Sequence, residues 1–99
     1  MYKEVTGFIG YCRNKIKTNN IRIKKLRTQI TEYETIIDII TKTDINNLIL
    51  QNYRAKIEKC FNKIDTYMEE NRHHGEMIIS VQKVNKTINN KRRIESYGN

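Results

Sequence analysis

"IRIKKLRTQITEYETIIDII", residues 21–40, holds neither glycine nor proline and brings round an isoleucine or leucine every three or four residues. Counted in sevens, Ile9, Ile16, Ile23, Ile30 and Ile37 occupy one heptad position, a. Three residues after each come Cys12, Asn19, Leu26, Tyr33 and Ile40, at position d. Isoleucine at every a position through five repeats is the pattern of a coiled-coil seam and exceeds what ordinary helix amphipathicity requires. Tyr2 and Val5 extend the seam backwards, although Gly7 and Gly10 weaken its first turns.

The seam stops at "TKTDINN", residues 41–47, where threonine, aspartate and asparagine compete with the helix for backbone hydrogen bonds. Thr43 or Asp44 is suited to cap a following helix. That helix carries Leu50, Ile57, Ile64, Asn71 and Ile78 at one seam position and Tyr53, Cys60, Tyr67, His74 and Val81 at the other, with Val84, Ile88 and Ile94 beyond. The expectation is an all-α, antiparallel two-helix coiled-coil hairpin forming one domain over residues 1–99. Its helices run over about 3–41 and 47–94, joined by a turn at about 42–46, with Gly75 a possible break. With the turn near Asp44, residue i pairs with residue 88 − i. Asn19 then comes within a turn of Asn71, a polar layer that fixes register. Cys12 and Cys60 fall about 24 Å apart at 1.5 Å per residue, too far for a disulfide.

Ninety-nine residues, 37% hydrophobic and 30% charged, build at most one small core. A lone hairpin leaves much of each helix uncovered, and apolar residues lie off the seam. Ile36, Ile49, Met77 and Val84 sit at g, Phe61 and Met68 at e, and Phe8 flanks the N-terminal seam. These residues predict association, completing a helical bundle with a helical protein partner or a second copy. Intramolecular packing is expected from Ile16, Ile23, Leu26, Ile30, Ile37, Ile57, Ile64 and Ile78.

Formal charge is +8, distributed as +7 over residues 1–27, −3 over 28–70 and +4 over 71–99. Arg22, Lys24, Lys25 and Arg27, with Lys91, Arg92 and Arg93, form a candidate polyanion-binding set. The cations of the first helix are, however, spread over the b, c, e, f and g positions, where any coiled coil keeps its charges. No helix-turn-helix, zinc finger or aromatic stacking motif accompanies them, so nucleic acid ranks behind a protein partner.

The cluster "EENRHHGE", residues 69–76, places Glu70 and His73 at i, i+3, like half of a di-iron carboxylate site. The second Glu-x-x-His that such a site needs is missing, and no nucleophile motif or phosphate loop occurs. A non-enzyme with no metal and no cofactor is expected. No run of about 18 apolar residues could span a bilayer, and the N-terminus does not read as a secretory signal. The chain is expected in the cytoplasm, or exported with a partner by a route other than the general secretory one.

In its helix–turn–helix plan the chain resembles the WXG-type small helical proteins of bacterial type VII secretion. It is most similar to the partner proteins that accompany LXG-type toxins, through "NKIKTNNIRIKKLRTQITEYETIIDII", residues 14–40. It departs from that family in having no tryptophan, no glycine in the turn, and no tyrosine followed four residues later by an acid. What the resemblance implies is a role: binding a toxin's helical targeting domain, stabilising it and presenting it for export. The alternative is a small basic nucleic-acid-binding regulator of phage or plasmid origin.

Overall fold

The computed structural model describes residues 3–43 and 47–97, with side chains up to residue 91 save that of residue 47. Of the turn expected at about 42–46, residues 44–46 lie outside the described residues, as do Tyr2 and the side chains of Arg92, Arg93 and Ile94. Two helices, α1 (Lys3–Lys42) and α2 (Asn47–Tyr97), pack on each other as an all-α hairpin, and no strand occurs among the described residues.

Absence of proline lets both helices run long, and their threonines do not interrupt them. Thr28, Thr31, Thr35, Thr41, Thr66 and Thr87 each donate the hydroxyl to the carbonyl four residues earlier. A hydroxyl satisfied in this way no longer competes for the helix's own N–H groups. Glu4 in the first turn of α1 and Lys42 in its last turn complement the helix dipole. Lys42 also pairs with Asp38 at 3.1 Å, an exposed ion pair that contributes little.

Thr43, one of the two candidate caps of α2, bonds back to α1. Its N–H donates to Ile40 O at 3.2 Å, and its hydroxyl donates to the carbonyls of Ile39 and Ile40. Thr43 therefore closes the end of α1, whose last carbonyls have no partner within the helix. The other candidate cap, Asp44, lies outside the described residues.

Contacts group the chain into two compact units, residues 18–69 and residues 1–17 with 70–99. In the first, Ile23, Ile30, Cys60 and Ile64 form a buried core with Leu26, Tyr33, Ile57 and Tyr67 packed around it. Arg22 meets Tyr67, Gln29 meets Cys60 and Tyr33 meets Tyr53, all within two residues of the expected pairing of i with 88 − i. In the second unit, Phe8 shares a groove with Met77, Ser80 and Val81, and Thr6 another with Gln82. The same register holds there.

Burial follows the heptad. Every described a and d position is buried or half-buried, and off the seam only Phe8, Gly10, Ile36, Gly75 and Met77 are as covered. Asn19 is 3% exposed, and both it and Asn71 engage in polar interactions. Asn85, one heptad beyond Ile78, is also buried, with no hydrogen-bond partner for its Oδ1.

Gly75 lies inside an unbroken α2, and a Cβ built there would meet nothing within 4 Å. Gly75→Ala should thus raise stability by about 1 kcal/mol through helix propensity. Thermal unfolding followed by circular dichroism checks this, and a lower Tm would mean that the backbone there needs glycine.

Candidate protein-interaction surface

A hairpin whose two helices cover one another along a single seam presents its remaining positions outward. Among residues expected to bind a partner, Phe61 is 49% exposed, Met68 51%, Ile49 40% and Val84 58%. Ile36 and Met77 are half-buried. Met77 joins Phe8 and Val81 in an open groove of about 300 Å³, rimmed by His73, Glu76 and Ser80.

Helix geometry divides these residues between two flanks, since e and g lie on opposite sides of an a/d seam. In unit 18–69, Phe61 and Met68 lie on the e side, while Ile36 and Ile49 lie on the g side. Further exposed apolar side chains, Tyr11, Ile21, Ile39, Leu48 and Ile79, occupy b, c and f positions. Sequence reasoning passed over them because it followed the positions next to the seam. Their signal was present: large apolar residues at outward positions of a charged helix.

The basic residues of α1 lie at the outward heptad positions expected from the sequence. Arg22 lies with its guanidinium 5.5 Å from the Tyr67 ring centroid, at g, while Lys24, Lys25 and Arg27 are exposed at b, c and e. These four cations divide between two flanks of α1, Arg22 with Lys25 and Lys24 with Arg27. Lys91 is exposed, and the side chains of Arg92 and Arg93 are not described. The structure adds a cluster that the sequence did not suggest. Lys56, Lys59 and Lys63 line a groove of about 220 Å³ with Gln29, Tyr33 and Cys60. Lys56 Nζ sits 4.8 Å from the Tyr53 centroid and 5.8 Å from that of Tyr33, whose rings are themselves 5.8 Å apart. Such cation–π contacts hold an ammonium group against the seam without neutralising it.

In "EENRHHGE", Arg72 pairs with Glu76 one turn on, and the rings of His73 and His74 lie 6.1 Å apart. His74 faces the seam, its Nδ1 buried and without a hydrogen-bond partner. Among the described residues no three His, Cys, Asp or Glu side chains converge as a metal site would require, and no helix is long and apolar enough to cross a membrane.

Cys12 and Cys60 are free thiols, both buried, and Cys60 Sγ contacts Gln29 Oε1 at 3.8 Å. Compared with known proteins, the chain matches no family model, no curated protein and no solved structure.

Burial of both thiols predicts slow modification by a maleimide under native conditions, at rates set by opening of the packed helices. Single-cysteine variants, Cys12→Ser and Cys60→Ser, then report each unit separately. Labelling as fast as in denaturant at either thiol would contradict its burial.

Proposed function

We propose that this chain is a non-enzymatic helical interaction protein whose exposed apolar side chains complete a bundle with a helical partner or a second copy. The observation that supports the reading is the exposure of Phe61 and Met68, i, i+7 on one flank of α2. Two large apolar side chains one heptad apart make a ladder that a third helix can cover. Both side chains are already half covered, so completing their burial is worth about half of the roughly 1.5–3 kcal/mol that full burial of each would give.

The particular role proposed is a chaperone or targeting partner of a type VII secreted toxin, handed on together with it. It rests on the resemblance of residues 14–40 to the helix of such partners and on the hairpin plan. A toxin's helical targeting domain would supply the further helices, with Ile36, Ile49, Met77 and Val84 as additional contacts.

Light scattering after size exclusion tests the general reading. The wild-type chain should self-associate, or bind a co-expressed helical partner. Phe61→Ala with Met68→Ala should weaken that association about a hundredfold, from the lost burial of two side chains. A stable monomer that binds no helical protein, or an association untouched by the double variant, would remove the support for it.

A further inference from the structure

The two flanks of unit 18–69 differ in charge as well as in shape. On the e and b side, beside Phe61 and Met68, stand the acids Glu34, Asp38, Glu58 and Asp65 along with Lys24, Arg27 and Arg54. On the g and c side, Arg22, Lys25, Lys56, Lys59 and Lys63 face a single acid, Glu32. None of these five cations makes an ion pair with a described residue. The same flank turns apolar beside the turn, where the register sets Ile49 level with Ile39, both exposed, next to the half-buried Ile36.

We infer that this flank docks one acidic amphipathic helix of a partner protein, with apolar side chains on Ile39 and Ile49 and carboxylates along the groove of Lys56, Lys59 and Lys63. This deepens the proposed helical-interaction role, on which it rests. Two features carry the choice of occupant. Lys56 and Lys63 are one heptad apart, about 10.5 Å along α2, which is the repeat at which a helix laid beside it presents glutamates. Oppositely charged residues flanking a seam are what set partner choice and orientation between helices. The apolar end is the second feature. A nucleic-acid backbone would use the lysines and gain nothing from Ile39 and Ile49, whereas an amphipathic helix uses both. Lys56 lies over one face of Tyr53 and near Tyr33, so on that face a ligand meets its ammonium group.

The test is fluorescence anisotropy on the full-length chain with a labelled, designed amphipathic peptide of three heptads, leucine on one face and glutamate beside it. Random-sequence single- and double-stranded DNA oligonucleotides serve as competitors. The peptide should bind, and more weakly in high salt. Lys56→Glu, Lys59→Glu and Lys63→Glu together should weaken binding roughly tenfold, as expected for three exposed ion pairs. Ile39→Ser with Ile49→Ser should weaken it comparably, with DNA competing poorly. Circular dichroism confirms that the variants keep their helicity; where the triple reversal does not, the triple Lys→Gln variant takes its place and should weaken binding in the same direction. No binding by the wild-type chain, binding indifferent to either set of changes, or DNA displacing the peptide with a lysine dependence of its own would each overturn the inference. Association that still depends on Phe61 and Met68 in such a case would leave the broader reading standing, so the two failures are separable.

Discussion

Burial of Ile23 and Ile30 against Cys60 and Ile64 is the contact on which the rest of the chain depends. It brings two helices of mostly polar composition into one register, and each cross-helix contact described above then falls where that register puts it. Hairpins of this kind have little redundancy. Each helix has one neighbour, so a seam residue that fails to pack has no second core to fall back on.

The polar side chains buried within the seam act against that economy. Asn19 is covered and engaged, whereas Asn85 Oδ1 and His74 Nδ1 are covered without a hydrogen-bond partner. Buried amides in a coiled-coil seam cost stability relative to isoleucine and narrow the choice of alignment. Among the described residues each unit buries one asparagine, Asn19 beside the aliphatic core of unit 18–69 and Asn85 with Ile9 and Cys12 in the other.

Much of the architecture was legible in the sequence because a seven-residue repeat is a local signal. Helix type, the approximate helix bounds, the seam positions and the i to 88 − i pairing all follow from counting along one chain. Of the two candidate caps of α2, Thr43 was ambiguous because a hydroxyl between two helices can serve either, and only the backbone path shows it bonding back to Ile39 and Ile40. Exposure of Phe61 and Met68 was foreseeable from their place beside the seam. The lysine groove was not. Lys56, Lys59 and Lys63 read as ordinary surface charges until pairing sets them next to Gln29 and Tyr33 of the other helix, so a site made by two helices has no signature in either one alone.

Register also bears on the order in which the chain can assemble. Bringing Tyr33 to Tyr53 closes a loop of about 20 residues, while bringing Phe8 to Met77 from an unpaired chain closes one of about 69, at an extra entropic cost of about 1 kcal/mol. Once the shorter loop is shut, each next pair is only a few residues away, and the hairpin zips outward from its bend. Under that order the apolar end of the g flank, Ile39 and Ile49, takes shape among the earliest parts of the molecule. A helix recognising it could engage a chain whose outer pairs, Phe8 with Met77 among them, have not yet formed.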